Sequence, residues 1–160
     1  MPAAALLIEH LNLNIPHSEV ELARRYYLEA LGGAVNPRST NERQLHVNVG
    51  ASQFHLVHLL SVQGCEPCEV PQVWRGAISL WTAETLEDVR ARVESLRLTE
   101  TAGGADASRA WAAPTLFAPA GGTPRLLCTC PWGNCYDITC APTGFALAGQ
   151  HAGEANTPIF

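Results

Sequence analysis

Residues 6–15 read LLIEHLNLNI, an alternation of apolar and polar side chains with the period of two that belongs to a half-buried strand. Leu7, Leu11, Leu13 and Ile15 fall on one face, and His10, Asn12 and Asn14 on the other. The second face is polar but uncharged. A solvated face more often carries Lys, Glu or Thr, so a row of His and Asn reads equally as the lining of a pocket.

Outward from this strand the chain alternates elements in a regular way. Ser18 and Glu21 form the pattern S-x-x-E, which predicts a capped helix start. Val20, Ala23, Tyr27 and Leu31 follow at helical spacing until Gly32-Gly33 ends the run. Arg43–Val49 and Gln53–Leu60 read as strands joined by the turn Gly50-Ala51-Ser52, and residues 61–73 read as a connecting loop. Ala77–Thr82 is again strand-like. A helix beginning at Thr85-Leu86-Glu87-Asp88 presents the stripe Leu86, Val89, Val93 and Leu96. After a Gly/Ala-rich stretch at 102–108, strands are expected near Thr115–Ala118, Arg125–Thr129 and Cys135–Cys140. The tail 142–160 has scattered Gly and Pro without a period and reads as flexible.

The order strand, helix, two or three strands therefore occurs twice, over about 6–60 and 74–141. A shift of 66 positions lays His10 on Gly76 and Val20 on Leu86, and a shift of 82 lays His55 on Asp137. It is a repeat of pattern more than of residues. Leu11, Leu13 and Ile15 are expected under the helices, with His10 and Asn12 facing away.

Composition bounds what such a chain can do. Its 160 residues, 47% hydrophobic and 16% charged, suit one globular domain spanning 1–160. The net charge is −5, and all ten basic residues are Arg. A Schiff-base lysine is excluded, Arg is the only fixed cation for an anionic ligand, and no basic stripe points to nucleic acid. The apolar run at 3–8 is too short for a membrane span and lacks the basic start of a secretory signal, so no membrane is expected as a partner. Six cysteines in a domain of this size fit reduced thiols in the cytoplasm, or in an organelle with a reducing interior.

Four segments, IEHLNLNIP with RRYYLEALG, SQFHL, WRGAISL and CPWGNCYDI, together resemble the vicinal oxygen chelate superfamily of glyoxalases, bleomycin-resistance proteins and extradiol dioxygenases. CPWGN resembles that family's D-P-x-G-N turn, with Cys130 in the aspartate position. The resemblance implies an α+β fold of two tandem βαβββ modules, forming a curved, partly open mixed β-sheet funnel with helices on the outside. The family's ligand positions match His10, His55, Gly76 and Asp137, and Gly76 cannot coordinate. Two imidazoles and a carboxylate would suit Fe, Mn, Zn or Ni, with open positions for two adjacent substrate oxygens.

The implied function is a small metalloenzyme, of lyase, isomerase or dioxygenase type. The alternative is a metal-free protein that binds or sequesters a small molecule. The resemblance admits both a single-chain site and a homodimer with exchanged modules.

Asn12, Trp74, Arg75 and Trp132 border the inferred pocket as candidate substrate contacts, Arg75 for a carboxylate or phosphate. Trp74 and Trp132 read equally as plugs of the barrel ends, and His46 and His58 as ordinary strand residues. Cys65-x-x-Cys68 with Cys128-x-Cys130 is a weaker match to structural zinc, because the second pair is too closely spaced. No Ser-His-Asp order or phosphate loop stands out, so no catalytic residue is assigned.

Overall fold

Four strands, β1 (His10–Asn14), β2 (Ala34–Val35), β3 (Gln44–Val49) and β4 (Ser52–Val57), form one mixed sheet in the order β1-β4-β3-β2. After the small pair β5 (Leu59–Leu60) and β6 (Glu66–Pro67), the pattern recurs. Strands β7 (Ala77–Thr82), β8 (Thr115–Phe117), β9 (Arg125–Thr129) and β10 (Cys135–Cys140) lie in the order β7-β10-β9-β8. In each sheet the first and last strands of the half run parallel, and the other pairings are antiparallel. The chain is thus α+β with two modules of one topology and no closed barrel. This computed structural model describes residues 10–49, 52–60, 64–102 and 111–142. The expected turn at 50–51, most of the Gly/Ala stretch at 102–108, Leu7 and the tail beyond 142 lie outside them.

The alternation quoted above sets the first sheet on the core. Leu13 and Ile15 are fully buried, and Leu11 packs against the same cluster. The second helix, α2 (Leu86–Ala102), buries its stripe Leu86, Val89, Val93 and Leu96. The Thr85 hydroxyl caps α2, accepting the Asp88 N–H at 3.2 Å and donating to Asp88 Oδ2 at 2.6 Å. None of the helices in the described residues is long and apolar enough to cross a membrane.

The first helix departs from its expected form. No side-chain cap from Ser18 exists. Pro16, extended at φ −58 and ψ 135, leads directly into a 3-10 turn (His17–Glu19) closed by Glu19 N–H to Pro16 C=O at 3.0 Å. Ser18 therefore lies inside that turn, where the first orphan amides are out of its reach. After α1 (Val20–Arg24) the helix widens to a π-turn over Arg25–Ala30, with the Leu31 N–H bonded to Tyr26 C=O at 3.0 Å. Ala23, Tyr26, Tyr27 and Ala30, at the spacing i, i+3, i+4, i+7, share the buried side.

Those tyrosines join the modules. Tyr27 Oη lies 2.7 Å from Tyr136 Oη of β10, and its ring stacks at 6.5 Å on Trp132. Tyr26 meets Trp111 and Tyr136 and donates to Cys128 Sγ at 3.8 Å. Gly33 lets β3 approach this turn, since a Cβ there would fall 2.6 Å from Val47 Cγ1 and 2.7 Å from the Tyr27 carbonyl. Tyr27→Phe should cost about 1–3 kcal/mol, because it strands a buried hydroxyl. Adding Tyr136→Phe should cost clearly less than the sum of the two single changes. Additive losses in urea unfolding would show that the hydroxyls do not act as a pair.

Candidate functional site

Each sheet has one face on the core and one face turned away from it, and the strand register decides which residues share the outward face. Pairing His10 with Gln53 and Asn12 with His55 sets His10, Asn12, Gln53 and His55 together. In the second module the counterpart of Gln53 is Cys135, which pairs with Ala77, while Asp137 pairs with Ser79. The partner position of His10 is therefore Ala77, not Gly76. Neither can ligate a metal. The one-residue difference also turns Ile78 and Leu80 to the core, where they pack on the main cluster, and gives the outward face Ala77, Ser79 and Trp81.

On the first sheet three imidazoles stack across adjacent strands. The His10 and His55 rings are 3.9 Å apart with an interplanar angle of 11°, and His55 and His46 are 3.8 Å apart at 21°. Gln53 Oε1 lies 2.6 Å from His55 Nε2, and Gln44 Oε1 lies 3.0 Å from His46 Nε2. An amide oxygen only accepts, so both Nε2 atoms carry the hydrogen. Gln53 Nε2 in turn donates to Asn48 Oδ1 at 2.5 Å. Burial, then His46 and His10, lowers the His55 pKa to about 4, and burial also lowers that of His46. His46, expected as an ordinary strand residue, is the buried member of the stack.

The second outward face is of another kind. Asp137 is buried and accepts a two-pronged ion pair from Arg125, with Nε to Oδ1 at 2.9 Å and Nη2 to Oδ2. The guanidinium holds the Asp137 carboxyl below the usual carboxylate range. Around the pair stand the exposed side chains Trp81, Leu127 and Phe117.

A metal at the family position requires in-plane imidazole lone pairs that converge on one point about 2.0–2.1 Å away. Parallel rings stacked face to face send those lone pairs side by side, and the hydrogens on Nε2 of His46 and His55 leave Nδ1 as the ligating nitrogen of each. Asp137 is already committed to a guanidinium. Among the described residues no three His, Cys, Asp or Glu side chains are placed to hold an ion. The structure thus brings His10 and His55 together, adds His46, and leaves Asp137 with Arg125. This arrangement does not fit the metal that the resemblance implies.

The remaining candidates divide. Asn12 lies on the imidazole face and is exposed. Trp74 and Arg75 are exposed, and the Trp74 N–H donates to Asn134 Oδ1 at 2.8 Å. Trp132 belongs to the core, with its indole N–H donating to Glu19. All six cysteines are free thiols, and burial pushes that of Cys128 up to about 12. Three residues escaped the sequence reading: His46, Arg125 and Asn134. Hairpin registers carry a signal for the first two, and the CPWGN turn contains the third.

No family model matches this sequence, and no curated protein sequence does. Solved structures do. An integron cassette protein from the mobile metagenome of V. cholerae superposes with a TM-score of 0.53 at 16% identity, covering 89% of this chain and 100% of that one. A glyoxalase-related enzyme from Fulvimarina pelagi gives 0.53 at 18% identity, covering 86% and 90%. Lactoylglutathione lyase from Agrobacterium tumefaciens gives 0.50 at 12% identity, covering 89% and 100%. At these identities the likeness is one of fold.

The lowered His55 pKa has a measurable consequence. The unfolded chain takes up a proton on His55 near pH 6.5, whereas the folded chain resists until about 4. His55 therefore contributes stability that is fully present above pH 6.5 and is lost as the pH falls toward 4. Histidine ring proton shifts followed by NMR should give a His55 midpoint near 4. A midpoint at the ordinary value would mean that the stack is open in solution.

Proposed function

We propose that this chain, built on the glyoxalase fold, binds a small uncharged aromatic molecule bearing hydroxyl or carbonyl groups on its outward sheet faces, and does so without a metal. The observation that carries this reading is the Arg125–Asp137 pair: the carboxylate at the position resembling a metal ligand has a guanidinium as its cation. The imidazole and amide groups of His10, His46, His55, Asn12 and Gln53 offer donors and acceptors for hydroxyl or carbonyl oxygens. Trp81, Leu127 and Phe117 offer apolar cover for a ring. Both faces are open in a single chain, and a homodimer that sets them against a second copy would enclose the ligand. On this reading the protein is a binding or sequestering protein, in place of the metal-dependent lyase or dioxygenase that the resemblance implies.

Protein purified without chelators, and again after reconstitution with Fe(II), Mn(II), Zn(II) and Ni(II), should carry substoichiometric metal by elemental analysis. In a thermal-shift screen of catechols, quinones and dicarbonyls, a stabilising compound should act equally with and without EDTA. Trp81→Ala should weaken that compound about tenfold or more, the loss of one stacking wall. One equivalent of metal that disappears in both His55→Ala and Asp137→Ala would overturn this reading in favour of a metalloenzyme.

A further inference from the structure

Segment 64–74 crosses from the first module to the second as a strap tied at three places. Cys68 donates its N–H to the His58 carbonyl and accepts the His17 N–H, both at 2.9 Å. Gln72 donates its N–H to the Asn14 carbonyl at 2.9 Å. Buried Asn134 holds the last tie, accepting the Trp74 N–H at 2.8 Å and donating to the Gln72 carbonyl at 2.9 Å. Between these ties the strap exposes Val70, Val73 and Trp74.

The first tie is backed by two side chains that neither the fold nor the proposed ligand site requires. His17 Nδ1 and His58 Nδ1 lie 3.0 Å apart, and their rings stack at 5.2 Å. His58, read from the sequence as an ordinary strand residue, thus faces a ring from the 3-10 turn. His58 is 7% exposed and its strap partner Cys68 is 4% exposed, while His17 is exposed, so the contact is part-buried and open to water on the His17 side. The two nitrogens are chemically the same, so a hydrogen bond between them needs one N–H and one lone pair. With no added proton, or with one, that condition is met. With two imidazolium rings both Nδ1 atoms carry hydrogen, no lone pair remains, and two cations face each other at contact distance.

We propose that His17 and His58 form an acid-released clasp: a single proton shared between their Nδ1 atoms holds the strap 64–74 in place, and protonation of both rings frees it. Arg24 of α1, itself 3.4 Å from Glu21, adds positive potential. Cys68 directs its Sγ to the Val70 carbonyl at 3.2 Å, and Arg43 contributes its carbonyl to the His58 N–H at 3.0 Å. Burial above all, then His17 and Arg24, keeps the His58 pKa below its ordinary value. The second proton therefore arrives only in acid, at a pH below about 6.5. Nothing in the clasp depends on what the outward faces bind.

Hydrogen–deuterium exchange of the full chain tests it, read at about pH 7.5 and about pH 5 and corrected for the intrinsic rate. Strap peptides should exchange roughly tenfold or more faster in acid, while α2 keeps its protection. In His17→Gln the amide oxygen accepts from a protonated His58, so the strap should stay protected at both pH values. Equal strap protection in the wild type at the two pH values overturns the proposal, a comparison that needs no variant. So does acid loosening of the strap in His17→Gln, with α2 intact, to the wild-type extent. Loosening by EDTA at about pH 7.5 also overturns it, since an ion would then join the rings.

Discussion

The buried contact between Tyr27 and Tyr136 fixes how the two modules sit, and much of the rest follows from it. Two phenol hydroxyls 2.7 Å apart satisfy each other where no water reaches, which an apolar pair of the same size would not require. Tyr27 reaches the contact from the π-turn at Arg25–Ala30. Tyr26 and Tyr27, three and four residues after Ala23, lie on one buried stripe of the first helix. Tyr26 can then cover Trp111 while Tyr27 reaches Phe54 and Trp132, so that one aromatic cluster serves both sheets. Because the helices and both core faces meet there, the opposite faces are left outward. The site chemistry lives on those faces.

What those faces carry is a consequence of strand neighbours more than of any single residue. His10, His55 and His46 come from three adjacent strands, and strand spacing brings their rings within stacking distance. Stacking takes away water and puts rings that would repel as cations in contact, which is why burial and mutual repulsion both keep His55 neutral. On the other sheet Arg125 and Asp137 are diagonal neighbours across a hairpin, one register step from the Asp137–Leu127 pair. A chain whose ten cations are all Arg has placed one of them where a fork–fork pair with a carboxylate is geometrically ready. On one face burial and its neighbours keep His55 neutral, and on the other Arg125 pairs the Asp137 charge.

Periodicity made the strand β1 and the stripe on α2 legible, because burial on one face imposes a period directly on the sequence. The duplicated topology was legible for the same reason. Register was not, because sliding one half along the other tests residue types and is blind to hydrogen bonds. A shift of 66 in place of 67 exchanged Ala77 for Gly76 and reversed the faces of Ile78 and Leu80. The first hairpin shows the same sensitivity. Taking its turn as the three residues 50–52 separates His46 from His55, whereas the observed pairing of Val49 with Ser52 sets the two histidines opposite each other. The Ser18 cap failed because a local pattern was outweighed by the proline two residues before it: Pro16 delivers the chain already turning.

The strap brings these threads together, since it is where local sequence says least and long-range contacts decide most. Residues 64–74 have neither a period nor more than two strand residues, and the segment reads as loop. Yet each tie comes from a different module or turn: His17 before the first helix, Asn14 at the end of β1, and Asn134 in the CPWGN turn. Asn134 is suited to this work because an amide both donates and accepts, so one buried side chain closes two backbone groups of an extended segment. An aspartate there, fully charged, could accept from Trp74 but would face the Gln72 carbonyl with no hydrogen to give. The turn that resembles a family signature is thereby explained by physical need. It secures the passage between modules, and the arrangement of both outward faces depends on that passage being held.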